Sequence, residues 1–309
     1  MIVNQIKELI GNTPLLRFTN LQLPIPAGTE VFAKLEFLNP GGSIKDRLGQ
    51  YLVNRALQEG KLKAGGTLIE PTAGNTGIGL ALATQAYDIQ TIFVVPEKFS
   101  LEKQALMQAL GATIVHTPTN EGMTGAIKRA TELAQEIPNS YLPLQFENRG
   151  NPKAYYETLG PEIAADLSET ITAFVAGVGS GGTFAGTGAY LKEKYPEILL
   201  YGVEPAGSIL NGGLSHAHEI EGIGVEFIPP FFENLAIAGY ETIPDETGFA
   251  YTRKLAKEYG VLAGSSSGAA LAAAVNIAQK LPTGSLIATV FPDAGDRYLS
   301  KDIYTRTTY

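Results

Sequence analysis

A chain of 309 residues with 44% hydrophobic and 17% charged residues can bury a large core and has the composition of a soluble globular protein. A formal net charge of −8 disfavours nucleic acid and anionic membrane surfaces as partners, and the absence of cysteine excludes disulfides, thiolate metal sites and a cysteine nucleophile. The opening residues lack a long apolar signal core, and no run of about 18 uncharged apolar residues follows, so a cytoplasmic location is expected.

Taken in chain order, short apolar runs alternate with amphipathic segments of helical length. Strands are predicted over 31–35, 67–70, 91–95, 113–116, 171–176, 199–203 and 286–291. Helices are predicted over 46–59, 77–86, 101–110, 124–136, 152–167, 183–194, 248–259 and 267–280, with Gly111 as a C-terminal stop. Alternation of β-branched strands with helices implies an α/β fold with a mostly parallel sheet and helices on both faces. The turn from Asn148 to Pro152 is the best mid-chain seam, and 205–230, rich in Gly, Pro and Ser, reads as a loop that covers a site.

The notable motifs fall at strand-to-helix turns, where such sheets bind ligands. Lys45 follows the turn Asn39-Pro40-Gly41-Gly42-Ser43-Ile44 at the start of a helix. Alone it reads as a solvated lysine; beside the other loops it suits an amine that bonds covalently to an anionic carbonyl cofactor. Thr72-Ala73-Gly74-Asn75-Thr76 offers backbone N–H groups and hydroxyls at a helix start, suited to a carboxylate or to simple capping. Gly177-Val178-Gly179-Ser180-Gly181-Gly182-Thr183 follows a strand and opens a helix, which makes a phosphate cradle. Gly177, Gly179 and Gly182 also match G-x-G-x-x-G, with Glu204 about twenty residues on, so an NAD-dependent oxidoreductase is a competing reading. Gly264-Ser265-Ser266-Ser267-Gly268 is a further turn before an Ala-rich helix, and its serine serves a ligand or caps the helix. His216 and His218 stand two apart without a third ligand, and no metal site is expected.

Seven ordered motifs carry a resemblance over essentially the whole chain. They are Gly11-Asn12-Thr13-Pro14-Leu15, Gly42 to Arg47, Glu70 to Gly77, Gly177 to Thr183, Gly222-Ile223-Gly224, Ser266-Ser267-Gly268 and Arg297-Tyr298-Leu299-Ser300. Together they resemble the cysteine synthase and cystathionine β-synthase family of fold-type II pyridoxal-phosphate enzymes. The resemblance implies two open, mostly parallel twisted sheets with helices on both faces, similar to tryptophan synthase β. It also implies a smaller mobile domain over 41–150 with the substrate-carboxylate loop, and a larger one over 1–40 and 151–309 with the phosphate loop.

The same resemblance implies pyridoxal 5'-phosphate as cofactor, held covalently by Lys45, which then serves as the proton-transfer base. Asn75 corresponds to the partner of the cofactor's phenolic oxygen, and Gly179, Ser180, Gly181, Gly182 and Thr183 to the phosphate loop. Ser266 corresponds to the hydroxyl facing the pyridine nitrogen; a neutral group there suits β-elimination and replacement. Thr72, Ala73, Gly74, Asn75, Thr76 and Gln145 correspond to the substrate-carboxylate site, with Ala73 standing where the family usually has Ser. Asp293, Ala294 and Asp296 also depart from the family pattern. The implied reaction is β-replacement on L-serine or O-acetyl-L-serine by sulfide or a thiol. Gly41-Gly42 and the run from Pro96 to Lys103 lean toward the cystathionine branch. A homodimer is implied, with serine acetyltransferase a candidate partner. A non-catalytic member of the fold is the other alternative, against which an intact Lys45 argues.

Overall fold

The computed structural model describes residues 2–167 and 169–305. In chain order its elements are β1 (Leu15–Thr19), β2 (Glu30–Leu35), α1 (Lys45–Gln58), β3 (Gly66–Pro71), α2 (Asn75–Thr84), β4 (Ile89–Pro96), α3 (Leu101–Ala109), β5 (Thr113–Thr117), α4 (Gly122–Glu136) and β6 (Ser140–Tyr141). They continue with α5 (Gly150–Glu157), α6 (Leu159–Asp166), β7 (Ala173–Gly177), α7 (Gly182–Lys194), β8 (Leu199–Pro205), β9 (Gly239–Ile243), α8 (Asp245–Tyr259), α9 (Ser265–Ala278) and β10 (Leu286–Phe291). Among the described residues no helix is long and apolar enough to cross a membrane.

The chain divides into two compact units, 1–10 with 39–151 and 11–38 with 152–309. The first unit holds a parallel sheet in the order β5-β4-β3-β6. Every residue of β3 is buried, because helices cover both faces of an interior parallel strand. From β3 the chain steps outward to β4 and β5, then returns to place β6 on the other side of β3. That reversal is a topological switch point, and it lies beside the segments leaving β3 and β6, 72–76 and 142–145.

The second unit holds a sheet in the order β1-β2-β10-β7-β8-β9, parallel except for the β1–β2 pair. Its switch point lies between β7 and β10, so 178–181 and 292–294 leave the sheet side by side. The Ala-rich α9 is buried along nearly its whole length and forms the centre of this unit's core with Phe18, Val175, Ile287 and Phe291. Gly268 permits its close crossing with α8, since a Cβ there would lie 2.2 Å from the Gly248 carbonyl oxygen.

The Gly11-to-Leu15 motif has a structural explanation in this unit. Gly11 and Asn12 both have positive φ. The Thr13 hydroxyl donates to Glu36 at 2.6 Å, and the fully buried Lys34 amine donates to the Thr13 carbonyl at 2.6 Å. Lys34 is neutralised by Glu162 at 3.1 Å and Asp166 at 2.9 Å, as a buried cation must be.

Two features differ from the sequence expectation. The strands β1, β6 and β9 were not predicted; β1 and β9 are sheet edges with polar residues, and β6 is two residues long. The helix expected over 152–167 is broken at Thr158 (φ −125°, ψ −67°) into α5 and α6. Pro161 is the cause: it has no N–H to continue the preceding helix, yet it fits the first turn of a new one.

Candidate active site

In the first unit, Lys45 is placed by a turn with little freedom. Gly42, at φ +75°, closes the turn with an N–H to the Asn39 carbonyl at 2.7 Å. The buried Asp46 carboxylate accepts the Gly41 N–H from a position that a Cβ on Gly41 would invade. The Ser43 hydroxyl accepts the Lys45 N–H at 3.2 Å. Lys45 then begins α1, half-buried, and α1 crosses α2 at glycines. A Cβ on Gly79 would sit 2.3 Å from the Lys45 carbonyl oxygen, and one on Gly49 would sit 2.2 Å from the Gly79 carbonyl oxygen. Only bare backbone allows this approach, which sets Lys45 one helical turn from Asn75 and Thr76 at the start of α2.

The start of α2 is a second built feature. Thr72, Thr76 and Gln145 are buried. The Thr72 hydroxyl accepts the Gly74 N–H at 3.3 Å, and the Thr76 hydroxyl donates to Gln145 Oε1 at 2.7 Å. Gly74 is extended (φ −139°), and a Cβ placed on it meets nothing within 4 Å. This open space lies at a helix N-terminus, whose dipole and N–H groups favour an anion. Ala73 and Asn75 flank it, both half-buried.

Sequence reasoning gave Glu70 no role of its own. Its carboxylate, fully buried near the end of β3, accepts the Leu144 N–H at 2.8 Å and the Gln145 N–H at 3.0 Å. Burial pushes its pKa up to about 7, against the opposing pull of those two N–H bonds. An acidic residue closing an otherwise apolar strand was the available signal.

In the second unit, the loop after β7 leads into α7 through Gly181 (φ +85°). The first bond inside α7 is Ala185 N–H to the Gly181 carbonyl at 2.9 Å, so the N–H groups of Gly182, Thr183 and Phe184 have no acceptor within the helix. A Cβ on Gly179 would sit 2.4 Å from the Gly222 carbonyl oxygen, and Gly224 N–H donates to the Val178 carbonyl at 2.8 Å. The Gly222-Ile223-Gly224 motif, which sequence reasoning left without a role, is therefore packed against the 177–183 loop. A Cβ on Gly222 would lie 4.0 Å from the Ser266 hydroxyl. Ser265 accepts the Glu221 N–H at 3.3 Å. Ser266 is buried at the N-terminus of α9, and among the described residues no protein group hydrogen-bonds its hydroxyl. Gly179, Ser180, Gly181, Gly182, Thr183 and Ser266 are thus brought together by the 222–224 loop.

Asp293, one of the departures noted in the sequence, is buried behind this turn. It accepts the Tyr298 hydroxyl, and its carbonyl accepts the Gly264 N–H at 2.9 Å. Burial and the adjoining carboxylate raise the Tyr298 pKa well above its ordinary value. His218 Nδ1 faces the Ile220 carbonyl at 3.0 Å, and no group of three metal-capable side chains occurs among the described residues.

The dinucleotide reading fails on geometry. Its acidic residue must be open to a ribose, whereas the Glu204 carboxylate is buried and filled by Leu210 N–H at 2.8 Å, Asn211 N–H at 3.2 Å and the Thr242 hydroxyl at 2.9 Å.

Two mostly parallel sheets, with glycine-built helix N-termini at their switch points, define a fold-type II pyridoxal-phosphate architecture. The family described as "Pyridoxal-phosphate dependent enzyme" matches residues 6–293, and the chain belongs to it. A cysteine synthase from Helicobacter pylori is 64% identical over 304 residues, spanning 98% of this chain and 99% of that protein. An O-acetylserine dependent cystathionine beta-synthase from Bacillus subtilis is 57% identical over 303 residues, spanning 98% of each. The crystal structure of O-acetylserine dependent cystathionine beta-synthase from Helicobacter pylori matches with a TM-score of 0.96 at 63% identity, covering 98% of this chain and 99% of that one. The protein is a pyridoxal-phosphate-dependent enzyme.

Proposed function

We propose that the enzyme replaces the acetoxy group of O-acetyl-L-serine with the sulfur of homocysteine. The observation that carries the reaction type is Ser266. A buried hydroxyl without a protein partner among the described residues, at the start of α9, fits a pyridine nitrogen, and a neutral group there leaves that nitrogen unprotonated. The remaining groups fit the rest of the cofactor. The N–H groups of Gly182, Thr183 and Phe184, with Gly179, Ser180 and Gly181 before them, suit a phosphate; Asn75 suits the phenolic oxygen and Lys45 the aldehyde. When bound, pyridoxal phosphate supplies the electron sink that acidifies the substrate α-carbon and lets a β-substituent leave.

The chain's own residues do the rest. The N–H groups at the start of α2, with the Thr72 and Thr76 hydroxyls and Gln145, hold the amino acid by its carboxylate beside Gly74 and Ala73. Lys45 Nζ takes the proton from the α-carbon and returns it to the same carbon at the end. In between, the Cβ–O bond breaks with loss of acetate, the thiol gives up its proton to the medium, and a Cβ–S bond forms. The smaller unit, in this reading, is the substrate-recognition domain. The donor and acceptor are supported by the 63% identical structure of an O-acetylserine dependent cystathionine beta-synthase. A second reading, with sulfide as acceptor and cysteine as product, is favoured by the 64% identical cysteine synthase. As the family resemblance implies, the enzyme in this reading is a cytoplasmic homodimer to which a serine acetyltransferase docks.

Four incubations decide between these readings: serine or O-acetylserine, each with sulfide or homocysteine, products identified by mass spectrometry. O-Acetylserine with homocysteine is expected to give cystathionine and acetate fastest. Faster formation of cysteine from sulfide transfers the assignment to the second reading, and no product from any pair overturns both.

A further inference from the structure

The carboxylate-binding start of α2 depends on a residue beneath it. We propose that Glu70 is a positioning residue: its carboxylate clamps the main chain of Leu144 and Gln145 and so presents the Gln145 side chain to Thr76. The inference rests on the reading of the 72–76 segment as the substrate-carboxylate site.

The geometry forms one continuous chain. Glu70 sits at the end of β3, two residues before Thr72, and receives two consecutive backbone N–H groups at 2.8 and 3.0 Å. The first of these belongs to Leu144, a non-glycine residue held at φ +53°, a conformation that such a side chain disfavours and that the clamp maintains. The second belongs to Gln145, whose carbonyl accepts Asn151 Nδ2 at 2.8 Å and whose Oε1 accepts the Thr76 hydroxyl at 2.7 Å. Removing Glu70 leaves a buried and a partly buried N–H donor unsatisfied and frees Leu144 to relax, which withdraws Gln145 from Thr76.

Among the described residues Glu70 has no cation partner, and its carboxylate is held by the two N–H groups. The Tyr141 phenol on β6 is the ionisable group that feels its charge, β4 places Phe93 opposite it in register, and neither β4 nor α4 brings a charged side chain that shifts its titration. Ionised, both carboxylate oxygens accept N–H bonds; protonated, one oxygen carries a hydrogen and its N–H bond weakens. Since burial holds the pKa up near 7, the clamp tightens as pH rises through neutrality. Stability runs the other way. The folded pKa exceeds the ordinary 4.5, so the folded state keeps its proton longer and loses stability as pH rises from about 4.5 to about 7.

The test is Glu70→Gln, which keeps the shape and removes the charge. Wild-type KM for O-acetylserine is expected to fall as pH rises from 6 to 8, whereas Glu70→Gln should show a KM about tenfold higher and flat across that window, with kcat changed less than threefold. Amide hydrogen exchange on the free protein supplies a readout independent of turnover: Leu144 and Gln145 should lose protection at least tenfold in the variant while β4 and β5 keep theirs. Unchanged exchange at Leu144 and Gln145 overturns the clamp whatever the kinetics. Altered exchange with a wild-type KM and pH profile overturns the link to substrate binding. Absence of β-replacement by the wild type would instead count against the proposed function and leave the exchange result to decide on Glu70.

Discussion

Lys45→Ala is expected to lower turnover at least about a thousandfold, or about 4 kcal/mol of barrier, with the fold retained. Two roles are lost together, the covalent hold on the cofactor and the base at the α-carbon. Retention of the fold follows from how Lys45 packs. The contact between α1 and α2 is made by its carbonyl oxygen against Gly79, and alanine keeps that carbonyl. The Ser43 hydroxyl likewise binds the Lys45 backbone N–H and not the side chain. Lys45→Arg should be as inactive, because a guanidinium does not give up its proton in a protein. Steady-state assays with circular dichroism as a control check this. More than a tenth of wild-type activity in Lys45→Ala would remove the lysine from the mechanism.

Gly79→Ala should be strongly damaging, as Gly49→Ala on the facing helix should be. Its Cβ would lie 2.3 Å from the Lys45 carbonyl oxygen and 2.7 Å from the carbonyl carbon, so two helix backbones must move apart. Overpacking on that scale costs about 1–3 kcal/mol. At about 2–4 °C of Tm per kcal/mol, thermal unfolding should fall by roughly 2–12 °C. Because the displaced atoms belong to Lys45 itself, activity should fall further than stability does. Gly74→Ala is the matched control. Its Cβ meets nothing within 4 Å and its φ of −139° suits alanine, so Tm should stay within about 2 °C while KM for the amino acid rises. A Gly79→Ala variant as stable as Gly74→Ala would contradict the close crossing of α1 and α2.

The interior of each sheet was legible in the sequence because buried parallel strands leave continuous apolar runs. β10 was predicted at its observed bounds, 286–291, and β2 to β5, β7 and β8 to within two residues at either end. The edges were not legible. β9 begins with glycine and carries a half-buried glutamate followed by an exposed threonine, so it shows neither an apolar run nor strict alternation. The cofactor and substrate segments were recognisable by their glycines and hydroxyls, but the contacts that shape them were not. That Gly222 packs on Gly179, or that Gly79 packs on Lys45, depends on pairs tens of residues apart, and no local pattern encodes such distances. Glu70 went unassigned because its two partners are backbone N–H groups, which leave no mark on the residue types at 144 and 145.

The central claim is that this enzyme carries its cofactor on Lys45. The chain has no tryptophan, and near-visible absorbance of the purified protein can come only from a ligand. Borohydride reduction of the protein loaded with pyridoxal phosphate, followed by proteolysis and peptide mass mapping, tests the claim directly. The account predicts loss of the near-visible band and one pyridoxyl-phosphate addition, on the peptide containing Lys45. Addition to a different lysine, or no addition to a folded protein saturated with pyridoxal phosphate, would contradict it.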